Sequence, residues 1–343
     1  MDTRKGEQLK EKKVCITGGA GMIGASLTRK LLNEGYDITI IDNLWRGNLE
    51  NLLCDGNPII DLNNNFHEID LSDANQNQSV CEIFSKNDII IHLADIVAGI
   101  GYVFENEYKI FKKNMLINTN TFKAANDAGV SALIYAGTAC SFPLELQESL
   151  ESELNDSQLF PANPESAYGW SKLVGQLELK FLNQISKMRI NTLIFHNVYG
   201  PFCEYDGERT QVIPSLIRRV IESNTGDDIS VWGSGNQGRA FIHVDDIVDA
   251  ILKTIITPNL PEYMQIGPNY CTSIKELIEM LLKISKKDLN IKYDLTKPEG
   301  DKGRFANASN AKKYLNWEPK IDLEEGLKAT YTWIKNGIDN NYD

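Results

Sequence analysis

The chain has 343 residues, 42% of them hydrophobic, which is enough for two domains with a sizeable core in each. Its 47 acids against 35 Lys plus Arg leave a net charge of -12, which excludes nucleic acid and anionic membranes as general partners, and no apolar run approaches a membrane span. Six cysteines without a CxxC pair and only four histidines argue against disulfides and a metal site, so a soluble, cytoplasmic protein is expected.

Lys13 to Thr17 predicts a short strand, and Gly18, Gly21 and Gly24 follow in GxxGxxG register. The pattern Ile23, Leu27, Leu31 then predicts a helix. Glycines between a strand and a helix permit a tight turn and let a diphosphate approach backbone N–H groups at the helix N-terminus. A second strand, 37–41, ends at Asp42, at the spacing where an acid meets the adenosine ribose hydroxyls. That acid would repel a 2'-phosphate and so favours NAD over NADP, with Arg46 the one nearby cation to weigh against it.

Further strands are expected at 66–69, ending at Asp70, and at 88–93, running into Ala94 and Asp95. A long helix over 108–128 ends at Gly129, and a strand over 131–137 ends at Thr138. Alternating strands and helices imply an α/β fold, a doubly wound parallel sheet, with hydroxyl and thiol groups (Thr138, Cys140) at its ligand-binding carboxyl edge. Residues 143–165, acidic and punctuated by proline, read as a surface loop. Past 190 the pattern loosens into short strands at 229–232 and 240–244 and helices at 213–222, 245–256, 274–284 and 323–335. The expected division is a dinucleotide-binding domain over 1–190, with 228–256 returning to it, and a smaller mixed domain over 191–343.

Tyr168 and Lys172 stand four apart in a helical segment and therefore share a face. A lysine ammonium beside a tyrosine favours the phenolate, which would make Tyr168 a general base toward a hydroxyl. Tyr108/Lys112, Tyr293/Lys297 and Tyr331/Lys335 have the same spacing, but only Tyr168 lies downstream of the complete dinucleotide pattern and the Thr138 strand end.

These elements together resemble the extended short-chain dehydrogenase/reductases of the NAD-dependent epimerase/dehydratase family. The likeness is carried by TGGAGMIG at 17–24, Asp42, Asp70, HLA at 92–94, YxxxK at 168–172, NVYGP at 197–201 and GRAFIHVDD at 238–246. GIGYV at 99–103, TACSFP at 138–143 and KPEGDKGR at 297–304 are similar to the GDP-mannose 3,5-epimerases. The resemblance implies a nucleotide-sugar epimerase working through a transient 4-keto sugar. Gly18, Gly21, Met22, Ile23, Gly24, Asp42, Asp70, Leu71, Leu93, Ala94 and Lys172 would hold NAD. Thr138, Tyr168 and Lys172 would act at C4, with Cys140 as acid/base at C3 or C5. Gly101, Asn197, Gln211, Arg239, Lys302 and Arg304 would hold the nucleotide-diphosphate sugar. Gln211 stands where that subgroup carries a second acid/base lysine, which leaves open a C4 epimerase or a 4,6-dehydratase, although Ala139 and Cys140 replace a dehydratase's acidic pair. A non-catalytic NAD-binding regulator is the reading from a different class, opposed by the intact Thr138, Tyr168 and Lys172. The resemblance also implies a homodimer paired through helices 108–128 and 168–186.

Overall fold

The computed structural model describes residues 12–340. Seven short strands rich in Ile, Val and Leu form one parallel sheet: β1 (Lys13–Thr17), β2 (Asp37–Asp42), β3 (Phe66–Glu68), β4 (Ile89–His92), β5 (Ala132–Thr138), β7 (Arg189–Phe195) and β11 (Tyr263–Ile266). Their spatial order is β3-β2-β1-β4-β5-β7-β11. The chain moves outward from β1 to β3 and then crosses back to β4, so a crevice opens at the carboxyl ends of β1 and β4, where open sheets bind ligands.

Both faces of the sheet are buried, which is why its strands are apolar throughout rather than alternating. One face carries α1 (Met22–Asn33) and α7 (Val244–Ile256) over a core built on Val14, Ile16, Ile38 and Leu193. The other carries α2 (Asn77–Phe84), α4 (Glu107–Ala128) and α5 (Ala167–Leu182) over Ile90, Phe122, Leu133 and Tyr135. Gly129 closes α4 at φ 70, a left-handed conformation that glycine adopts without the Cβ penalty. Ser166 caps α5, its hydroxyl accepting from Gly169 N at 3.3 Å.

A separate core gathers α6 (Val212–Glu222), α8 (Ile274–Ser285) and α9 (Leu323–Asn340) around Leu216, Leu277 and Leu327. The pair β9 (Asp228–Trp232) and β12 (Asn290–Asp294) lies with them. A division at 190 would cut β7 near its start, and β11 also belongs to the large sheet. Of the segment 228–256, α7 and Ile242 before it pack on that sheet, whereas β9 pairs with β12 outside it. The two layers therefore interleave in sequence, because a crossing strand such as β7 is as apolar as its neighbours and gives no boundary signal.

The expected surface loop over 143–165 holds a strand, β6 (Glu148–Leu154), paired in parallel with β13 (Gly303–Ala306). Its Glu and Ser residues have little strand preference, and only Leu154 is fully buried, so pairing with a distant segment decides its conformation. Among the described residues no helix is long and apolar enough to cross a membrane.

Trp317 anchors the carboxyl-terminal segment to α7. It is fully buried, and its indole Nε1 donates to the Asp246 carbonyl at 3.0 Å. The Asp246 carboxylate in turn accepts from Lys320 N and Ile321 N at 3.0 and 3.1 Å. Trp317→Ala is expected to destabilise the chain by about 3–5 kcal/mol, read as a lowered midpoint of urea unfolding.

Candidate active site

The crevice at the carboxyl edge of the sheet opens into a cavity of about 450 Å³. Its dinucleotide end is shaped by glycines. Gly18 sits at φ 72, and a Cβ there would lie 2.9 Å from Ala94 N, so only glycine lets the first turn pack on the chain leaving β4. A Cβ on Gly24 would come within 2.3 Å of the Gly18 carbonyl oxygen, which keeps α1 pressed against the loop. Gly21 precedes α1 with no side-chain cap, and Met22, Ile23 and Gly24 line the cavity with the helix N-terminus.

Asp70, Leu71, Leu93 and Ala94 line the same end. Asp42 stands at the end of β2, its oxygens accepting from Ala20 N at 2.9 Å and Leu44 N at 2.8 Å. Burial raises its pKa despite those donors. Arg46 is engaged elsewhere, paired with Glu204 at 3.3 Å and donating to the Val97 carbonyl at 3.1 Å. Arg209 joins the same Glu204 at 2.6 Å, donates to the Trp45 carbonyl and lies over the Trp45 ring at 4.7 Å. With Arg46 so held, the carboxylate of Asp42 stands at the end of β2 without that cation competing, an arrangement that fits a cofactor without a 2'-phosphate.

Tyr168 and Lys172 project from one face of α5 as their spacing predicts, but an acid lies between them. Asp95 Oδ2 accepts from Tyr168 Oη at 3.2 Å and pairs with Lys172 Nζ at 2.9 Å. The expectation that Lys172 lowers the Tyr168 pKa is therefore corrected: burial first, then the negative Asp95, hold it well above the ordinary tyrosine value. Burial works against the Lys172 charge, but Asp95 and the Tyr135 hydroxyl outweigh it and raise the lysine pKa. The ammonium lies 4.5 Å from the centre of the Tyr135 ring.

Thr138 and Cys140 meet Tyr168 because α5 starts unusually close to the end of β5. A Cβ on Gly169 would fall 2.2 Å from the Cys140 carbonyl oxygen, so the glycine inside the Tyr-Gly-Trp-Ser-Lys segment sets that approach. Thr138 Oγ1 accepts from Cys140 N at 3.2 Å, which leaves its hydroxyl hydrogen free to donate. Arg304 donates to the Cys140 sulfur at 3.3 Å.

Of the three cations expected to hold a diphosphate, Arg239 and Arg304 line the cavity and Lys302 does not. Arg304 is 2% exposed and bonded to Asp301 and to Gln147 Oε1, and Arg239 pairs with the same Asp301 at 3.1 Å. Both line the cavity, and the single carboxylate of Asp301 offsets one of their two charges. Lys302 is exposed and lies outside the lining. It stands just before β13, where its N–H donates to the Gln147 carbonyl at 3.1 Å and its carbonyl accepts from Gly238 N at 2.9 Å, so the backbone is held and the side chain is left to solvent. Gly101, Asn197 and Gln211 do line the cavity. Gln211 stands at the N-terminus of α6 without capping it through its side chain. Asp95, Glu204, Arg209 and Trp232 are lining or clasping residues for which sequence reasoning assigned no role. Asp95 carried a local signal, an acid directly after His92-Leu93-Ala94, whereas the others are recognisable only once distant loops meet.

Residues 14–267 match the NAD dependent epimerase/dehydratase family. The chain belongs to that family. It is 31% identical over 331 residues to GDP-mannose 3,5-epimerase of Arabidopsis thaliana, covering 95% of this chain and 83% of the relative. The structure of a UDP-glucose 4-epimerase from Thermotoga maritima, solved with UDP-glucose, superposes with a TM-score of 0.83 at 25% identity, covering 95% of this chain and 99% of that one. A Thermus thermophilus UDP-glucose 4-epimerase solved with NAD shares the fold, with a TM-score of 0.79 at 22% identity over 94% and 99% of the two chains.

NAD is the cofactor of this epimerase/dehydratase family, and the residues present fit it: a glycine cradle in which a Cβ on Gly18 or Gly24 would clash, a helix N-terminus without a side-chain cap, and an acid at the end of β2. Gly24→Ala is expected to weaken NAD binding by about tenfold or more, equivalent to about 1.4 kcal/mol or more, in a calorimetric titration.

Proposed function

We propose that the protein is a nucleotide-sugar epimerase that forms a transient ketone at the sugar C4 and inverts an adjacent carbon, C3 or C5, as a relative of the GDP-mannose 3,5-epimerases. The observation that carries this reading is the convergence of Thr138, Tyr168 and Cys140 on one wall of the cavity whose other end fits NAD. Bound NAD supplies the hydride acceptor and donor for C4.

Thr138 and Tyr168 hold the C4 hydroxyl, and Tyr168 receives its proton. Lys172 fixes the Tyr168 side of the pocket through Asp95. A ketone at C4 acidifies the hydrogens on C3 and C5, and Cys140 exchanges a proton on one face of the carbon to be inverted, the opposite face being protonated by a second donor such as solvent. Arg304, donating to the sulfur, sets where that acid/base group stands. Gln211 cannot exchange a proton, so it is not the group that serves the opposite face, and this scarcity of acid/base groups favours inversion at one carbon over inversion at two.

The substrate is a nucleotide-diphosphate sugar. Asn197, Gly101, Gln211 and Arg239 line its part of the cavity, and a Cβ on Gly101 would lie 3.1 Å from the Trp232 ring, so substrate-side packing is tight there. The protein acts in the cytoplasm and pairs through α4 and α5, which expose Leu116, Trp170 and Phe181.

Proton NMR of GDP-mannose with the protein in heavy water tests the reading. Loss of the C3 or C5 signal is expected, and retention of both would remove GDP-mannose as substrate and promote C4 epimerisation of another nucleotide sugar. Cys140→Ala should stop exchange while sparing C4 oxidation, and Tyr168→Phe should lower turnover by about a hundredfold to ten-thousandfold with NAD still bound.

A further inference from the structure

Inverting a carbon takes a proton from one face and delivers another to the opposite face, and Cys140 serves only one of them. Glu165 is a second proton-exchanging group on the cavity wall. It stands one residue ahead of the Ser166 cap of α5, half-buried and among the lining residues. The residue before it, Pro164, packs beside the Cys140 turn, since a Cβ on Gly169 would meet Pro164 Cβ at 3.0 Å and the Cys140 carbonyl oxygen at 2.2 Å. The chain then carries Glu165 past that turn to a different wall. There a Cβ on Gly300 would meet Ile100 Cδ1 at 2.5 Å, Arg239 Nη2 at 3.0 Å and Glu165 Oε1 at 3.4 Å. Ile100 opens α3 (Ile100–Glu105), and the preceding Gly99 abuts the 210–211 segment, its Cβ position 2.5 Å from the Thr210 carbonyl oxygen and 4.0 Å from Gln211 Cα. The carboxyl group therefore stands on the wall of Ile100 and Gln211, whereas the Cys140 sulfur is held on the β13 side by Arg304.

We propose that Glu165 is the second acid/base residue, exchanging a proton on the face of the sugar carbon that Cys140 does not serve. This assignment rests on the epimerase reading above and puts a side chain in place of solvent as the second donor. With the C4 ketone formed, the C–H bond beside it breaks as an S–H bond forms at the ionised Cys140 sulfur, and the electron pair passes into an enolate. A C–H bond then forms on the other face as the Glu165 O–H bond breaks. The thiol afterwards loses its proton to water and the carboxylate gains one, which restores both groups. In the reverse direction they exchange roles.

The surroundings of Glu165 suit a group that gives and takes a proton. Arg239 and Arg304, the cations acting on it, are each paired with Asp301. Burial and then the Asp301 carboxylate raise the Glu165 pKa, against the two arginines and the Asp301 backbone N–H, which moves it toward neutral working pH. Glu299 turns its own carboxylate to Ser234 N, and Glu107 of α4 borders an outer recess that Glu165 also touches.

The test follows the C3 and C5 hydrogens of GDP-mannose by proton NMR in heavy water with Glu165→Gln. Deuterium should still enter the starting sugar through Cys140, while formation of the epimer falls about a hundredfold or more. Epimer formation at the unaltered rate would overturn the proposal and leave solvent as the donor. Loss of exchange and inversion together, with NAD still bound, would also overturn it, since Glu165 would then serve only the shape of the site. A second measurement needs no sugar: a carbon NMR titration of the NAD complex labelled with carbon-13 at the glutamate Cδ, Glu165 being assigned by its absence in Glu165→Gln. Its midpoint should lie above the ordinary glutamate value of about 4.3, and a midpoint at or below that value would overturn the proposal. Absence of exchange by the unaltered protein would count against GDP-mannose as substrate, and the titration would still decide for or against Glu165.

Discussion

The buried ammonium of Lys172 is the constraint on which the active-site face depends. Placing a charge there carries a desolvation penalty of several kcal/mol, which only a near and well-directed partner offsets. Asp95 supplies that partner, the Tyr135 ring supplies a second electrostatic surface, and the surrounding groups are arranged around the two. Asn118 donates to the Tyr135 hydroxyl at 3.2 Å, and its Oδ1 meets His92 Nε2 at the same distance, while His92 Nδ1 meets Thr17 Oγ1 at 2.7 Å. A line of polar contacts thus runs from the first strand to the active-site lysine. Gly175 lets α5 close on it, since a Cβ there would fall 2.8 Å from both Asn118 Nδ2 and the Tyr135 hydroxyl.

A second charged knot organises the sugar end. Asp301 receives both Arg304 and Arg239, and through them binds the 238–239 segment to 301–304. Arg304 then reaches the Cys140 sulfur, so the position of that sulfur depends on a segment far along the chain. The two arginines share one carboxylate, so the knot keeps a net positive charge at this end of the cavity within an acidic chain.

Much of the dinucleotide half was legible in the sequence because its determinants are local. The spacing of Gly18, Gly21 and Gly24 between a strand and a helix, the acid ending β2, and the long helix stopped by Gly129 all lie within single elements, and the structure has them where the spacing predicts. The Tyr168 and Lys172 pair was legible as a shared helical face, but its electrostatics were not, because burial and then Asp95, an acid brought in by a different strand, raise the tyrosine pKa. The pairing of the arginines was hidden for a similar reason. Asp301 is visible beside Arg304 in the sequence, but that these two would be buried together beside Arg239 depends on β13 pairing with β6, which the polar composition of 148–154 conceals.

The contacts of Glu204 with Arg46 and Arg209 have a consequence for the economy of the cell that holds this protein. Together with the bond from Gly99 N to the Arg209 carbonyl, they lash three loops across the nucleotide end of the cavity. A dinucleotide bound beneath such a lashing would leave only when those contacts open. Under the epimerase reading proposed above, each turnover would then end with the dinucleotide as it began and would draw nothing from the free nicotinamide pool.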